Sequence, residues 1–199
     1  MANYLSGFAP LRYQNGANYT GAVNRYVANG AFFPGDFVKL DGSSPSITVG
    51  VDKSGQNLKG VVVATSGATE SVLGVCVGFS PVASSLDTPI GATAQIAAGQ
   101  IVYIADDPTL VFVGKLSGAS AFTAANLGLN TVLNTGTAGA NGRSGQLIDA
   151  AVANAAAAPL RVEDFVDAPD NTNVAGTAIM LQVTINNHQR NPATGTVGI

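Results

Sequence analysis

Side chains able to do chemistry are few and scattered in this 199-residue chain. There is one His, His188, one Cys, Cys76, and no Trp. Nucleophilic catalysis needs a base set against Ser or Cys. His188 stands in Asn186-Asn187-His188-Gln189, a polar stretch just past the last apolar alternation, and reads as a structural strand-end residue. Cys76 stands between Val75 and Val77 with no base nearby in sequence, the setting of a buried, inert thiol. A single Cys forms neither an internal disulfide nor a Cys-based metal site. No Gly-x-Ser-x-Gly or His-Glu-x-x-His motif occurs, and no Gly-rich stretch ends in Gly-Lys-Ser/Thr. Glu163, Asp164, Asp167 and Asp170 are the best metal candidates, because clustered carboxylates supply hard oxygen ligands. Phe165, Val166 and Pro169 interrupt them, so they read as a solvated loop. Asp106-Asp107-Pro108 reads as a hairpin turn. No catalytic, cofactor-binding or metal-binding residue is assigned, and no enzymatic activity is expected.

The elements around these residues have an unusual composition. Charged residues make up 11% of the chain, less than half of the ~25% of an average protein. Two readings account for this: a surface covered in an assembly, or a surface of Ser, Thr, Asn and Gly. The net charge of −3 gives no general attraction to nucleic acid. Residues 1–35 contain Arg12 and Arg25 and no acid, so all 12 acids lie beyond them. No basic-then-apolar leader opens the chain, and no apolar run reaches ~18 residues. The expectation is a protein made in the cytoplasm, with no membrane partner.

Residues 1–34 read as an extended N-terminal arm. Tyr4, Tyr13, Tyr19 and Tyr26 are spread among Asn-Gly and Asn-rich turns without a strand or helix period. Disordered tails are poor in aromatics, whereas Tyr is favoured at interfaces, so the arm is expected to order on a partner. From residue 35 the period becomes two. Strands are expected at 36–40, 47–51, 60–65, 72–79, 95–97, 101–105 and 110–113, spaced for an all-β sandwich or barrel. In 72–79, Leu73, Val75, Val77 and Phe79 share one face, and Val72, Gly74, Cys76 and Gly78 share the other. The small side would let another backbone approach closely. Residues 114–158 are a Gly/Ala-rich loop insertion with a short helix at 149–158, which needs packing to form. Strands resume over 160–187, with Ile179, Leu181, Val183 and Ile185 inward and Met180, Gln182 and Thr184 outward. The last ten residues read as a loose tail. The β-domain thus spans 35–199.

Several motifs in order resemble a known family. They are Gly7-Phe8-Ala9-Pro10-Leu11-Arg12, Gly21-Ala22-Val23-Asn24-Arg25-Tyr26, Gly35-Asp36-Phe37-Val38, Val72-Leu73-Gly74-Val75-Cys76-Val77-Gly78-Phe79, Val102-Tyr103-Ile104-Ala105-Asp106-Asp107-Pro108, Gly142-Arg143-Ser144-Gly145, and the close from Leu160-Arg161-Val162 to Asn187-His188. Together they resemble the capsid decoration, or cement, proteins of tailed bacteriophages. The resemblance implies a tulip- or jelly-roll-like β-body on the outer surface of the phage head, as a homotrimer bound to the major capsid protein. It implies a virion structural protein that clamps adjacent shell subunits, with no cofactor and no small-molecule substrate. Within the arm, Arg12, Tyr13, Tyr19, Asn24, Arg25 and Tyr26 are the expected capsid contacts, since Tyr and Arg dominate buried interface energy. The competing readings are a head-fibre or tail protein with a receptor- or carbohydrate-binding β-domain, which predicts an exposed aromatic groove, and a phage hydrolase, which predicts clustered ionisable residues.

Overall fold

The computed structural model describes residues 7–42, 58–80, 96–118, 123–135, 142–150, 155–168, 171 and 179–190. The fold is all-β. Its strands are β1 (Ala9–Tyr13), β2 (Asn24–Ala28), β3 (Phe37–Leu40), β4 (Gly60–Val63), β5 (Gly74–Phe79), β6 (Ile101–Ala105), β7 (Leu110–Lys115), β8 (Asn130–Thr131), β9 (Leu133–Thr135), β10 (Gln146–Ile148), β11 (Leu160–Phe165) and β12 (Met180–Ile185). Strands β2, β4, β3, β5 and β6 close into a barrel, and β1, β7, β12, β11 and β8 form a five-stranded sheet. Strands β9 and β10 pair separately. Among the described residues the only helix is the 3-10 turn Ala124–Asn126, so no described helix is long or apolar enough to cross a membrane.

Period-two alternation divides the apolar residues between two cores. Tyr26, Ala28, Val38, Val61, Cys76, Val102 and Ile104, drawn from all five barrel strands, meet Phe32, Leu73 and Ile96 inside the barrel. The opposite faces of β3, β5 and β6 contribute Phe37, Val75 and Ala105 to a larger cluster. The sheet supplies Leu110, Phe112, Leu160, Val162, Leu181, Val183 and Ile185 to the same cluster. The barrel wall and the sheet therefore share one interface. Phe37 lies at its centre, edge-on to Phe8 at 4.6 Å and to Phe112 at 5.2 Å between ring centroids.

Residues 1–34 are not an arm over their described part. Strand β1 pairs antiparallel with β7, and β2 closes the barrel between β6 and β4. The segment lacks visible alternation because β1 is a bulged edge strand, half-buried along its length, and β2 is buried only over its last three residues. The insertion 114–158 is also more ordered than its composition implies. It carries the end of β7 and all of β8, β9 and β10. Residues 155–158 form a turn closed by Ala158 N–H to Ala155 O, where helix was expected.

Two further expectations change at β5 and β6. A bulge between Cys76 and Gly78 shifts the strand by one residue, so Val77 faces outward, 39% exposed, while Cys76 enters the barrel. The close backbone approach is to the chain's own neighbour. A Cβ on Gly74 would lie 2.1 Å from the Ala105 carbonyl oxygen. The close approach at Gly74 is therefore made within the chain and not to another subunit. The turn at Asp106-Asp107-Pro108 links β6 of the barrel to β7 of the sheet, which do not pair, so it is a crossing between layers and not a hairpin. Ile179, Leu181, Val183 and Ile185 face the core as expected. Thr184 is buried too, donating to Glu163 Oε1 at 2.7 Å. The expected strand at 47–51, Asp170 and residues 191–199 of the tail lie outside the described residues.

Two predictions follow from this architecture. Deleting residues 2–30 removes β1 and β2 and opens the barrel, so the remainder should show no cooperative thermal transition by circular dichroism. A sharp transition in the truncated chain would mean that the barrel closes without β2. Gly74→Ala should cost about 3 kcal/mol by forced overpacking. Gly16→Ala, at φ +87° with open space around it, should cost only about 1 kcal/mol. Urea unfolding of the two variants checks the order.

Candidate functional site

The chemistry-bearing side chains converge at the layer crossing. Asp106 follows β6 directly and is 4% exposed. A carboxyl group buried this far needs its oxygens satisfied. Oδ1 accepts from Asn24 Nδ2 at 2.8 Å. Oδ2 accepts from the Tyr26 hydroxyl at 2.5 Å and from Arg190 Nη1 at 2.6 Å. Burial and the bond to Asp106 both raise the Tyr26 pKa, in that order of weight, so the phenol keeps its proton and remains a donor. Strand β2 thereby presents two donors, two residues apart on one face, to the end of β6. The chain just past β12 brings the cation.

His188 completes the arrangement from the same segment. It is 3% exposed, and its backbone bridges to Val72. Arg190 N–H donates to Nδ1 at 3.0 Å, which places the ring proton on Nε2. Nε2–H then donates to the Asp106 carbonyl at 3.1 Å. Burial is the largest influence on the ring and lowers its pKa, with Arg190 adding to the effect, while Asp106 opposes it. His188 is held neutral, with both nitrogens used. Cys76 lies in the barrel core, where burial pushes its thiol up to about 12.

A second buried acid ties β10 to the barrel. Asp36 accepts from the Ser144 hydroxyl and, through Oδ2, from Phe33 N–H at 2.8 Å. Its pKa is raised by burial, partly offset by these two bonds. Gln146 accepts from Phe37 N–H at 2.7 Å and donates to the Ala64 carbonyl at 2.8 Å, joining β10 to β3 and to the end of β4.

An open cleft of about 600 Å³ lies beside β2, lined in part by Asn24, Tyr26 and Arg190, the side chains bonded to Asp106. Its floor is Val23, Asn24, Arg25 and Tyr26, and its far side is Leu58 and Lys59, where the chain enters β4. Leu40 and Arg190 close it. A smaller cleft of about 370 Å³ shares Val23, Asn24 and Arg190 with it and ends at Asp107 and Pro108. Asp107 is held below the usual carboxylate range, chiefly by two bonds from Thr109, so it stays charged at neutral pH.

The six expected contact residues therefore separate. Asn24, Arg25 and Tyr26 meet at this cleft. Tyr26 is a buried wall bonded inward and not a protruding anchor, because its hydroxyl is committed to Asp106. Arg12 reaches across the sheet to Gln182 Oε1 at 3.0 Å. Tyr13 and Tyr19 lie 6.4 Å apart by ring centroid, partly buried against the sheet core. The Tyr19 hydroxyl donates to Ala22 O, and burial raises its pKa, helped by Tyr13 and Asp106. Of the acid cluster, Glu163 bonds Thr184 and Asp164 accepts from its neighbour Phe165 N–H. Among the described residues no three His, Cys, Asp or Glu side chains gather as a metal site would require. Asp106, Arg190 and Lys59 are the residues that sequence reasoning missed. The Asp-Asp-Pro run resembles a surface turn, and nothing local signals that Tyr26 and Arg190 will meet there. No family model matches the chain, and neither does any curated protein or solved structure.

Replacing Asp106 by Ala should cost about 3 kcal/mol, since it strands the buried Tyr26 hydroxyl and removes three bonds. Arg190→Ala should cost less, about 1 kcal/mol, because Arg190 is half-exposed and Asp106 keeps its bonds from Asn24 and Tyr26. Equal losses on denaturation would refute the hub. His188 adds a pH dependence. Its folded pKa lies below the 6.5 of the free ring, so the unfolded chain binds more protons just below that value. Stability should fall as pH drops through about 6.5, and His188→Gln should flatten that slope. Asp36 works in the opposite sense nearer pH 4, where its raised pKa favours the folded state as acid is added.

Proposed function

We propose that this chain is a virion structural protein: a capsid decoration protein that binds the outer surface of a phage head and clamps neighbouring shell subunits. The observation that carries the reading is the placement of two of the motifs that make up the resemblance. Gly7–Arg12 and Gly21–Tyr26 form β1, β2 and the approach to β2. They leave Leu11 and Val23 exposed at 40% and 37%, among the few large apolar side chains the described surface presents. The ionisable groups below them are spent on internal bonds that stiffen the body, which suits a clamp. On this reading the protein catalyses no reaction and uses no cofactor. Its binding as a homotrimer at the shell rests on the resemblance alone, and its location is the virion exterior after synthesis in a bacterial cytoplasm.

The work of such a protein is mass action. Binding to the assembled shell and not to its dissociated subunits stabilises each site by RT ln(1 + [L]/Kd), about 4 kcal/mol at a thousandfold excess over Kd. One observation favours a second reading, a head-fibre or tail protein that binds a carbohydrate. The 600 Å³ cleft has an aromatic wall in Tyr26 and polar side chains in Asn24, Arg25 and Lys59.

Adding the protein back to purified undecorated shells should raise the temperature at which they rupture, with saturation at a fixed number of copies per shell. No saturable binding, together with binding to host cell-wall sugar, would replace this reading with the second. Sedimentation of the bound and free protein checks the trimer.

A further inference from the structure

We propose that the cleft beside β2 receives a short, extended, acidic segment of the partner protein. That this partner is a shell subunit rests on the reading above, whereas the sign of its charge does not. The chain is acidic overall, with an isoelectric point near 4.8 and nine bases among its residues. Three of those bases, Arg25, Lys59 and Arg190, line this one cleft, and among the described residues no acid does. Arg190 is fixed by its ion pair to Asp106, and its side chain remains 52% exposed toward solvent. Lys59 is exposed on the facing side, and its backbone carbonyl is held by Val27 N–H at 3.1 Å. The positive groups are thus carried on fixed backbone, so an anion meets them without the cost of ordering a loop.

Apolar groups accompany the charges. Val23, 37% exposed, lies with Leu40 and Leu58 in the same lining. A mixed surface of this kind suits carboxylates alternating with an apolar side chain. The lining follows β2 over residues 23–26, which at ~3.3 Å per residue accommodates about four residues of extended chain. The neighbouring cleft sets the end of the site. Asp107 lines it and stays ionised, so a polyanion running on past Val23 and Arg190 would meet a like charge. That disfavours a nucleic acid strand, whose charge repeats at every step, and favours a short acidic stretch.

The probe is a fluorescein-labelled peptide of Glu-Val-Glu-Ser repeats, with a Gln-Val-Gln-Ser peptide as its neutral counterpart. Anisotropy titration should show saturable binding of the acidic peptide, with the neutral peptide about tenfold weaker. Lys59→Glu should weaken the acidic peptide about tenfold, as should raising salt from about 50 to about 500 mM. Arg143→Glu reverses an exposed base outside the cleft and should leave binding unchanged. Thermal melting of each variant confirms folding. Equal peptide affinity for wild type and Lys59→Glu overturns the proposal, as does tighter binding of an oligothymidylate of matched charge. Shell co-sedimentation separates the two claims. If Lys59→Glu binds shells like wild type, the cleft is not the dock and the decoration reading stands. If wild type binds the peptide but not shells, the acidic segment belongs to another partner and the decoration reading falls.

Discussion

Burying the Asp106 carboxyl group is the constraint on which the rest of this structure depends. The chain crosses from barrel to sheet at this residue, and a crossing between layers leaves polar groups with no ladder partner. Leaving an ionised carboxylate unsatisfied there would cost several kcal/mol. The remedy recruits the chain from two distant regions: Asn24 and Tyr26 from β2, and the segment beyond β12, which brings Arg190 to the carboxylate and His188 to the backbone carbonyl. The four partners lie 80 to 84 residues from Asp106, so the cluster closes two long loops of the fold at one point. Loop closure grows more costly only slowly with length, and a satisfied polar cluster at such a point fixes one arrangement among many apolar ones.

The apolar interface and this polar point divide the labour. The Phe8, Phe37 and Phe112 rings and the residues around them supply burial, which is strong but indifferent to small slips. Register needs directional contacts. Gln146 bonded to Phe37 and Ala64, Asn171 bonded to Met180, and the Asp106 cluster supply them. Closing β2 through β6 into a barrel removes free edges from that layer. The open sheet keeps two. One is the two-residue β8, too short to template another chain. The other is β1, partly covered where Tyr13 N–H and Tyr19 N–H reach Ala17 and Leu11.

The sequence was most legible where one side of a strand faces a core and the other faces water. The all-β class, β11 and the inward face of β12 were readable for that reason, and β3, β4 and β6 were readable as short apolar runs bounded by turn residues. Strands β1 and β2 were not. Asn, Tyr and Gly dominate the turns between them, and their burial comes from β7, β6 and β4, which no local pattern announces. The bulge in β5 hid Val77 in the same way, because a period-two reading continues straight through a one-residue shift. His188 and Cys76 were read as structural, and both are buried with their polar atoms occupied. The same reading passed over Asp106, since an Asp-Asp-Pro run has the composition of an exposed turn. What exposes its role is a contact with Tyr26, 80 positions away.

The placement of β2 explains how one segment serves both fold and surface. Successive residues of a strand point to opposite faces, so Tyr26 and Ala28 enter the barrel and Arg25 turns away from it, and Tyr26 reaches the cleft lining as well as the barrel core. Removing the inward residues would collapse the platform, and removing the outward ones would leave it standing. Low overall charge sharpens this division. With charged residues at 11% of the chain, three bases in one lining stand out, Arg190 among them already paired with Asp106. Salt limits the reach of such exposed charges to roughly 10 Å. They therefore act on a segment already at the cleft and contribute little to attraction from afar. Recognition by this surface is consequently a matter of local fit between a rigid β2 floor and what lies on it. The rigidity comes from the buried carboxyl group directly underneath.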